Sequence, residues 1–133
     1  EGSFQIEPQD ELTVTIMSFG FKHGIPRDAD IVMDVRFLKN PHWVPELRKK
    51  TGLDKEVGEY VEQDADYENF IENFKKLVEP LLPRYAYEGK KYLTIAIGCM
   101  GGRHRSVYTV EKLGKWLKDT GANAHIEHRD IKP

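Results

Sequence analysis

The chain has 133 residues, 39% hydrophobic and 32% charged, with a formal net charge of −2. That length suits one domain with its own core. The mild acidity excludes the overall basic surface of a dedicated nucleic-acid module, and no apolar run approaches the ~20 residues of a membrane span. The single cysteine excludes an internal disulfide and suits a reducing compartment, so a cytoplasmic location is expected. The chain opens Glu1-Gly2-Ser3 without a signal peptide or a Met, and reads as a piece of a longer protein.

Residues 1–10 are polar and read as a linker, with the domain proper over 11–133. Leu12 to Phe19 alternates apolar and polar residues and predicts a strand ending near Ser18. Gly20 to Asp30 is a loop. Ile31 to Phe37 predicts a second strand, and its apolar start Ile31-Val32-Met33 suits burial on both faces. Asp34 and Arg36, two apart, share a face near its carboxyl end. Asn40-Pro41 signals a turn, and short helices are expected at Pro45–Thr51 and Asp54–Gln63.

Asp66 starts a stronger helix. Tyr67, Phe70, Ile71, Phe74, Leu77, Val78 and Leu81 fall on one face as a core stripe, and Pro80 ends or kinks the helix near Glu79. Lys91 to Cys99 is a third strand. Arg105 to Asp119 is a helix with Val107, Val110, Leu113, Gly114 and Leu117 inward and Gly121 as its C-terminal stop. Ala122 to His128 is a last strand. Strands alternating with helices predict a three-layer α/β domain with a largely parallel sheet of about four strands.

The third strand runs into Gly98-Cys99-Met100-Gly101-Gly102-Arg103-His104-Arg105-Ser106. A strand, a glycine loop and a helix start in that order make an anion site: backbone N–H groups turn inward and the helix terminus adds partial positive charge. Arg103 and Arg105 can fork onto phosphate oxygens, and His104 and Ser106 can donate. The ends of the other strands, Ser18 to Lys22 and Asp34 to Arg36, would face the same crevice beyond a parallel sheet. A carboxylate at Asp34 would repel phosphate. It should accept from a hydroxyl or amine, or pair with Arg36. A phosphorylated sugar or amino sugar meets both demands. The bland alternative is a tight Gly-Gly turn beside solvated arginines.

Cys99, five residues, Arg105 and Ser106 also reproduce the cysteine-phosphatase signature C-x5-R-[S/T]. There a thiolate attacks phosphorus, an arginine clamps the oxygens, and an aspartate, here Asp34 or Asp30, protonates the leaving group. Gly98 stands where those phosphatases usually have histidine. Walker A spacing is absent, and His125 and His128 with one cysteine make no zinc site, so no metal or cofactor is expected. The doublets Lys49-Lys50, Lys75-Lys76 and Lys90-Lys91 read as solvated faces.

Several blocks resemble the C-terminal domain of the RNase adapter protein RapZ family. They are Ser18-Phe19-Gly20-Phe21-Lys22-His23-Gly24, Asp28-Ala29-Asp30, Asp34-Val35-Arg36-Phe37-Leu38, Asn40-Pro41-His42, Pro45-Glu46-Leu47-Arg48, Thr51-Gly52-Leu53-Asp54, and Ile95 through Tyr108. The resemblance runs from about Thr13 to His128. It implies a bacterial family whose members usually carry an ATP- or GTP-hydrolysing P-loop domain before this one, from which this chain is either a separated piece or a stand-alone homologue, so no nucleotide hydrolysis is assigned to these residues. The whole protein would be a homo-oligomer.

In enterobacterial members this domain binds glucosamine-6-phosphate and a small regulatory RNA. Carried over by motif, the sugar phosphate would sit on Cys99, Met100, Gly101, Gly102, Arg103, His104, Arg105 and Ser106. Asp34, Arg36, His42 and the strand end at Ser18 would lie nearby. RNA phosphates would meet Lys22, His42 and Arg48, with salt-dependent binding. Two departures bear on this. Met100 replaces the usual threonine, removing a hydroxyl donor. The ending Arg129-Asp130-Ile131-Lys132-Pro133 is less basic than the enterobacterial one.

Overall fold

The computed structural model describes residues 12–133, so the expected linker over 1–10 lies outside the described residues. Four strands, β1 (Thr13–Gly20), β2 (Ile31–Asp34), β3 (Tyr92–Cys99) and β4 (Asn123–His128), form one sheet in the order β2-β3-β1-β4. Every pairing is parallel. Four helices accompany it: α1 (Lys55–Glu62), α2 (Tyr67–Val78), α3 (Leu81–Tyr87) and α4 (Arg105–Asp119), with 3-10 turns at Phe21–His23 and Pro41–Trp43. This is the expected α/β fold with a parallel sheet and flanking helices.

Register and the two-residue strand period sort the side chains by face. Val14 and Ile16 of β1 lie opposite Leu93 and Ile95 of β3, and these join Val57, Val61, Ile71, Phe74, Val110, Leu113 and Leu117 in one core. All four helices pack on that face. On the other face Thr13, Thr15, Met17 and Thr94 are only half-buried and Val32 is 42% exposed.

Local departures have local causes. β2 stops at Asp34 rather than reaching Phe37, because the Arg36 N–H turns back to Asp34 Oδ1 at 2.9 Å. Among the described residues it is an edge strand paired with β3 alone, so its apolar run is half-exposed instead of buried on both faces. Residues 45–51 form successive turns, Leu47 N–H to Val44 O and Lys50 N–H to Leu47 O, instead of a helix. α2 ends before Pro80 as expected, but α3 begins at Leu81. Pro83 sits in its first turn, where a missing N–H loses no helical bond. Leu77, at the border of the α2 stripe, is 59% exposed. α4 keeps its expected span, and its five named inward positions are all buried.

The exits of β1 and β3 diverge. After β1 the chain passes over the open face, where Phe21 packs edge-on against Phe19 with ring centroids 4.8 Å apart. After β3 it passes over the helical face as α4. Adjacent parallel strands with diverging exits leave a crevice beyond their carboxyl ends.

Candidate functional site

The loop between β3 and α4 is clamped from both sides. Lys22 N–H donates to Met100 O at 3.1 Å, and Gly52 N–H donates to Arg103 O at 2.8 Å. Gly102 turns the chain with φ of +80°, a conformation other residues avoid. A Cβ there would lie 2.5 Å from Gly20 N. The C-terminal segment adds a strap. Asp130 Oδ2 accepts from Gly20 N–H at 2.8 Å, and Arg103 Nε donates to Ile131 O at 2.8 Å.

Arg105 opens α4 and is 5% exposed. Its Nη1 donates to Arg36 O at 2.6 Å and Leu38 O at 3.1 Å, while its buried Nε has no partner among the described residues. Burial lowers its pKa, opposed by the neighbouring Cys99 and Asp34. Cys99 is 2% exposed, with Sγ 3.1 Å from Ser106 Oγ. His104 Nε2 lies 3.1 Å from Arg48 O, and burial pushes its pKa below the ordinary histidine value.

A cleft of about 630 Å³ opens over this loop. The loop and helix start contribute Cys99, Met100, Gly101, Arg103, His104 and Arg105. The facing segments contribute Lys22, Asn40, His42, Trp43, Arg48 and Pro133. Four of these side chains, Lys22, Arg48, Arg103 and Arg105, are permanent cations, and among the described residues no carboxylate side chain lines the cleft. The net acidity of the chain thus coexists with a concentrated positive site. A second cleft, of about 360 Å³, lies at the amino ends of the strands between Leu12, Leu82, Pro83 and Ala86, and holds no cation.

The fold brings together nine of the residues singled out in the sequence: Lys22, His42, Arg48, Cys99, Met100, Gly101, Arg103, His104 and Arg105. It keeps others out of the lining. Gly102 packs behind the loop against β1, and Ser106 is fully buried beneath it. Ser18 is also fully buried. Its Oγ lies 2.7 Å from His128 Nδ1, whose Nε2 lies 2.7 Å from Glu111.

Asp34 and Arg36 pair with each other. Arg36 Nε and Nη2 donate to the Asp34 carboxylate at 2.9 and 2.7 Å, and that bond holds Asp34 below its usual pKa. The Arg36 guanidinium sits 4.0 Å over the Phe21 ring. Asp30 is at the start of β2, bound to Thr94 N–H and Lys90, far from the carboxyl ends. No group of three metal-ligating side chains occurs among the described residues.

Sequence reading missed Asn40, Trp43 and Pro133 as cleft residues. Asn40-Pro41 was legible as a turn signal and as part of a family block, not as cleft lining. In the structure Asn40 Oδ1 accepts from His42 N–H at 3.0 Å and so sets the 3-10 turn that carries Trp43 to the cleft.

Residues 12–132 match the sequence profile of the RapZ C-terminal domain. A nucleotide-binding protein of Rhodospirillum rubrum is 54% identical over 132 residues, 99% of this chain and 41% of that protein. One from Lactiplantibacillus plantarum is 50% identical over 129 residues, covering 97% and 44%. One from Streptomyces avermitilis is 48% identical over 131 residues, covering 98% and 44%. The chain spans about two fifths of the length of these relatives, and nucleotide binding is a property their names give to the longer proteins. No helix among the described residues is long and apolar enough to cross a membrane. With the profile matched over nearly its whole length, the chain belongs to the RapZ C-terminal domain family.

Proposed function

We propose that this domain is a sensing and adapter module that binds a phosphorylated amino sugar, of the glucosamine-6-phosphate kind, with its phosphate against the loop from Cys99 to Ser106. The observation that carries this is Arg105. A guanidinium 5% exposed, held by two backbone carbonyls and with an unpartnered Nε, is an expensive group to bury without an anion. It lines a cleft without carboxylate side chains among the described residues, beside Gly101 and the α4 N-terminus, so a dianionic phosphate offsets its desolvation and completes its hydrogen bonds. Asp34, already paired with Arg36, serves the amine only if that pair opens. A cytoplasmic homo-oligomer built by the whole protein belongs to the same reading.

The test is calorimetry with glucosamine-6-phosphate and glucosamine on the wild type and Arg105→Lys, with thermal melts to verify folding. The phosphate ester should bind and the free amine sugar should not. Arg105→Lys keeps the charge but loses the fork, and should weaken binding at least ~10-fold. Undiminished binding in that variant refutes the reading.

Two further readings use the same residues. Lys22, His42 and Arg48 lie around the same cleft, which favours RNA phosphates as a competing occupant. A salt-dependent gel shift with structured small RNA, reversed by the sugar phosphate, would support this, and no shift at low ionic strength removes it. The Cys99 Sγ to Ser106 Oγ contact, with Arg105 at the helix start, also suits a cysteine phosphatase. The cleft supplies no carboxylic acid for the leaving group, so sensing is preferred. Aryl-phosphate turnover lost in Cys99→Ser would reverse that preference.

A further inference from the structure

We infer that Trp43 is the ring platform of the cleft, selecting phosphates that carry a pyranose ring over bare phosphate. This rests on the anion-loop reading above and adds what recognises the other half of the ligand. Trp43 is 73% exposed, although its indole is among the largest apolar surfaces a protein owns. The other tryptophan, Trp116, packs against the core.

The turn under Trp43 is pinned. Pro41 is buried and Asn40 caps His42 N–H. Trp43 N–H donates to Asn40 O at 3.1 Å, and Arg48 Nε donates to His42 O at 2.8 Å. The His42 ring packs edge-on against the indole, with centroids 5.1 Å apart. An exposed indole on a braced turn is preorganised, so little conformational freedom is lost when something covers it.

Chemistry narrows what covers it. The cations and the loop N–H groups recognise a phosphate but cannot tell inorganic phosphate from an ester. Trp43 and Met100, the latter 49% exposed, are the two large apolar side chains in the lining. The C–H face of a pyranose is flat and apolar while its rim is polar, which matches an indole face set among charged groups. The cleft volume, about 630 Å³, falls in the range that encloses small ligands.

Wild type, Trp43→Ala and Trp43→Phe would each be titrated with inorganic phosphate, glucosamine-6-phosphate and adenosine monophosphate. Trp43 emission would be followed in a Trp116→Phe background. Trp43→Ala should lose roughly tenfold in sugar-phosphate affinity and leave phosphate affinity unchanged, and Trp43→Phe should recover most of the loss. The emission should shift with glucosamine-6-phosphate and not with phosphate. If phosphate binds normally and Trp43→Ala changes neither affinity, or lowers both equally, the platform is refuted while the anion loop stands. Tighter, Trp43-dependent binding of the nucleotide refutes the pyranose assignment. A wild type that binds no phosphate compound refutes the loop reading and this inference with it.

Discussion

Gly101 and Gly102 are adjacent and chemically identical, yet the structure gives them different work. Gly102 has φ of +80°, and an added Cβ would meet Gly20 N at 2.5 Å and Phe19 C at 2.7 Å, both backbone atoms that cannot rotate away. Alanine at 102 pays about 1–2 kcal/mol for the left-handed conformation and about 1–3 kcal/mol for overpacking. The total is about 3 kcal/mol, a large part of the 5–15 kcal/mol typical of a domain. A Cβ at Gly101 meets open space, with Lys22 Cε 4.0 Å away, but Gly101 lines the cleft.

Urea unfolding should therefore put Gly102→Ala well below wild type, by about 2 M at an m-value of about 1.5 kcal/mol per M. Gly101→Ala should stay within about 0.5 kcal/mol of wild type. In calorimetry the order reverses, because Gly101→Ala places a methyl where an anion would approach and should weaken phosphate-ester binding in a fully folded protein. Equal destabilisation by the two variants would refute the packing argument. Normal ligand binding by Gly101→Ala would refute the claim that its backbone faces the ligand.

Two other perturbations probe the surroundings. The Tyr67 hydroxyl is buried without a hydrogen-bond partner among the described residues, so Tyr67→Phe should stabilise the domain by about 1 kcal/mol in thermal or urea unfolding, and a loss of stability would contradict that placement. His104 titrates below the 6.5 of an ordinary histidine because it is buried, so the unfolded chain takes up its proton first as pH falls. Its contribution is complete above that value and is lost as pH drops through it. His104→Gln should flatten the fall in stability between neutral and mildly acid pH, and an unchanged slope would assign the pH dependence elsewhere.

The most legible parts of the chain were those whose partners are local or periodic. α4 repeats its apolar residues at helical spacing from Val107 to Leu117, and β3 is an apolar run bounded by lysines and glycine, so both were found nearly to the residue. β2 was overextended because an apolar run does not reveal whether a strand is at an edge. α3 was missed because Pro83 argues against a helix unless its place in the first turn is known. At the site, the glycine loop and Arg105 were readable from composition and order. Trp43 was not, since its exposure depends on where a short turn lands against a loop some sixty residues away. Asp34 and Arg36 were readable as neighbours on one face, but only the geometry shows that they satisfy each other.

The sheet topology has a consequence for how the chain is made. Among the described residues β1 pairs only with β3 and β4, so Thr13 waits for Tyr92 and Asn123. At typical rates of synthesis that leaves Val14, Ile16 and Phe19 without their neighbours for on the order of ten seconds. An apolar strand with both edges open is the element most prone to pair with another chain. Folding is therefore most vulnerable at β1: this interior strand is made before the other strands among the described residues, and its pairing is completed only when β4 arrives.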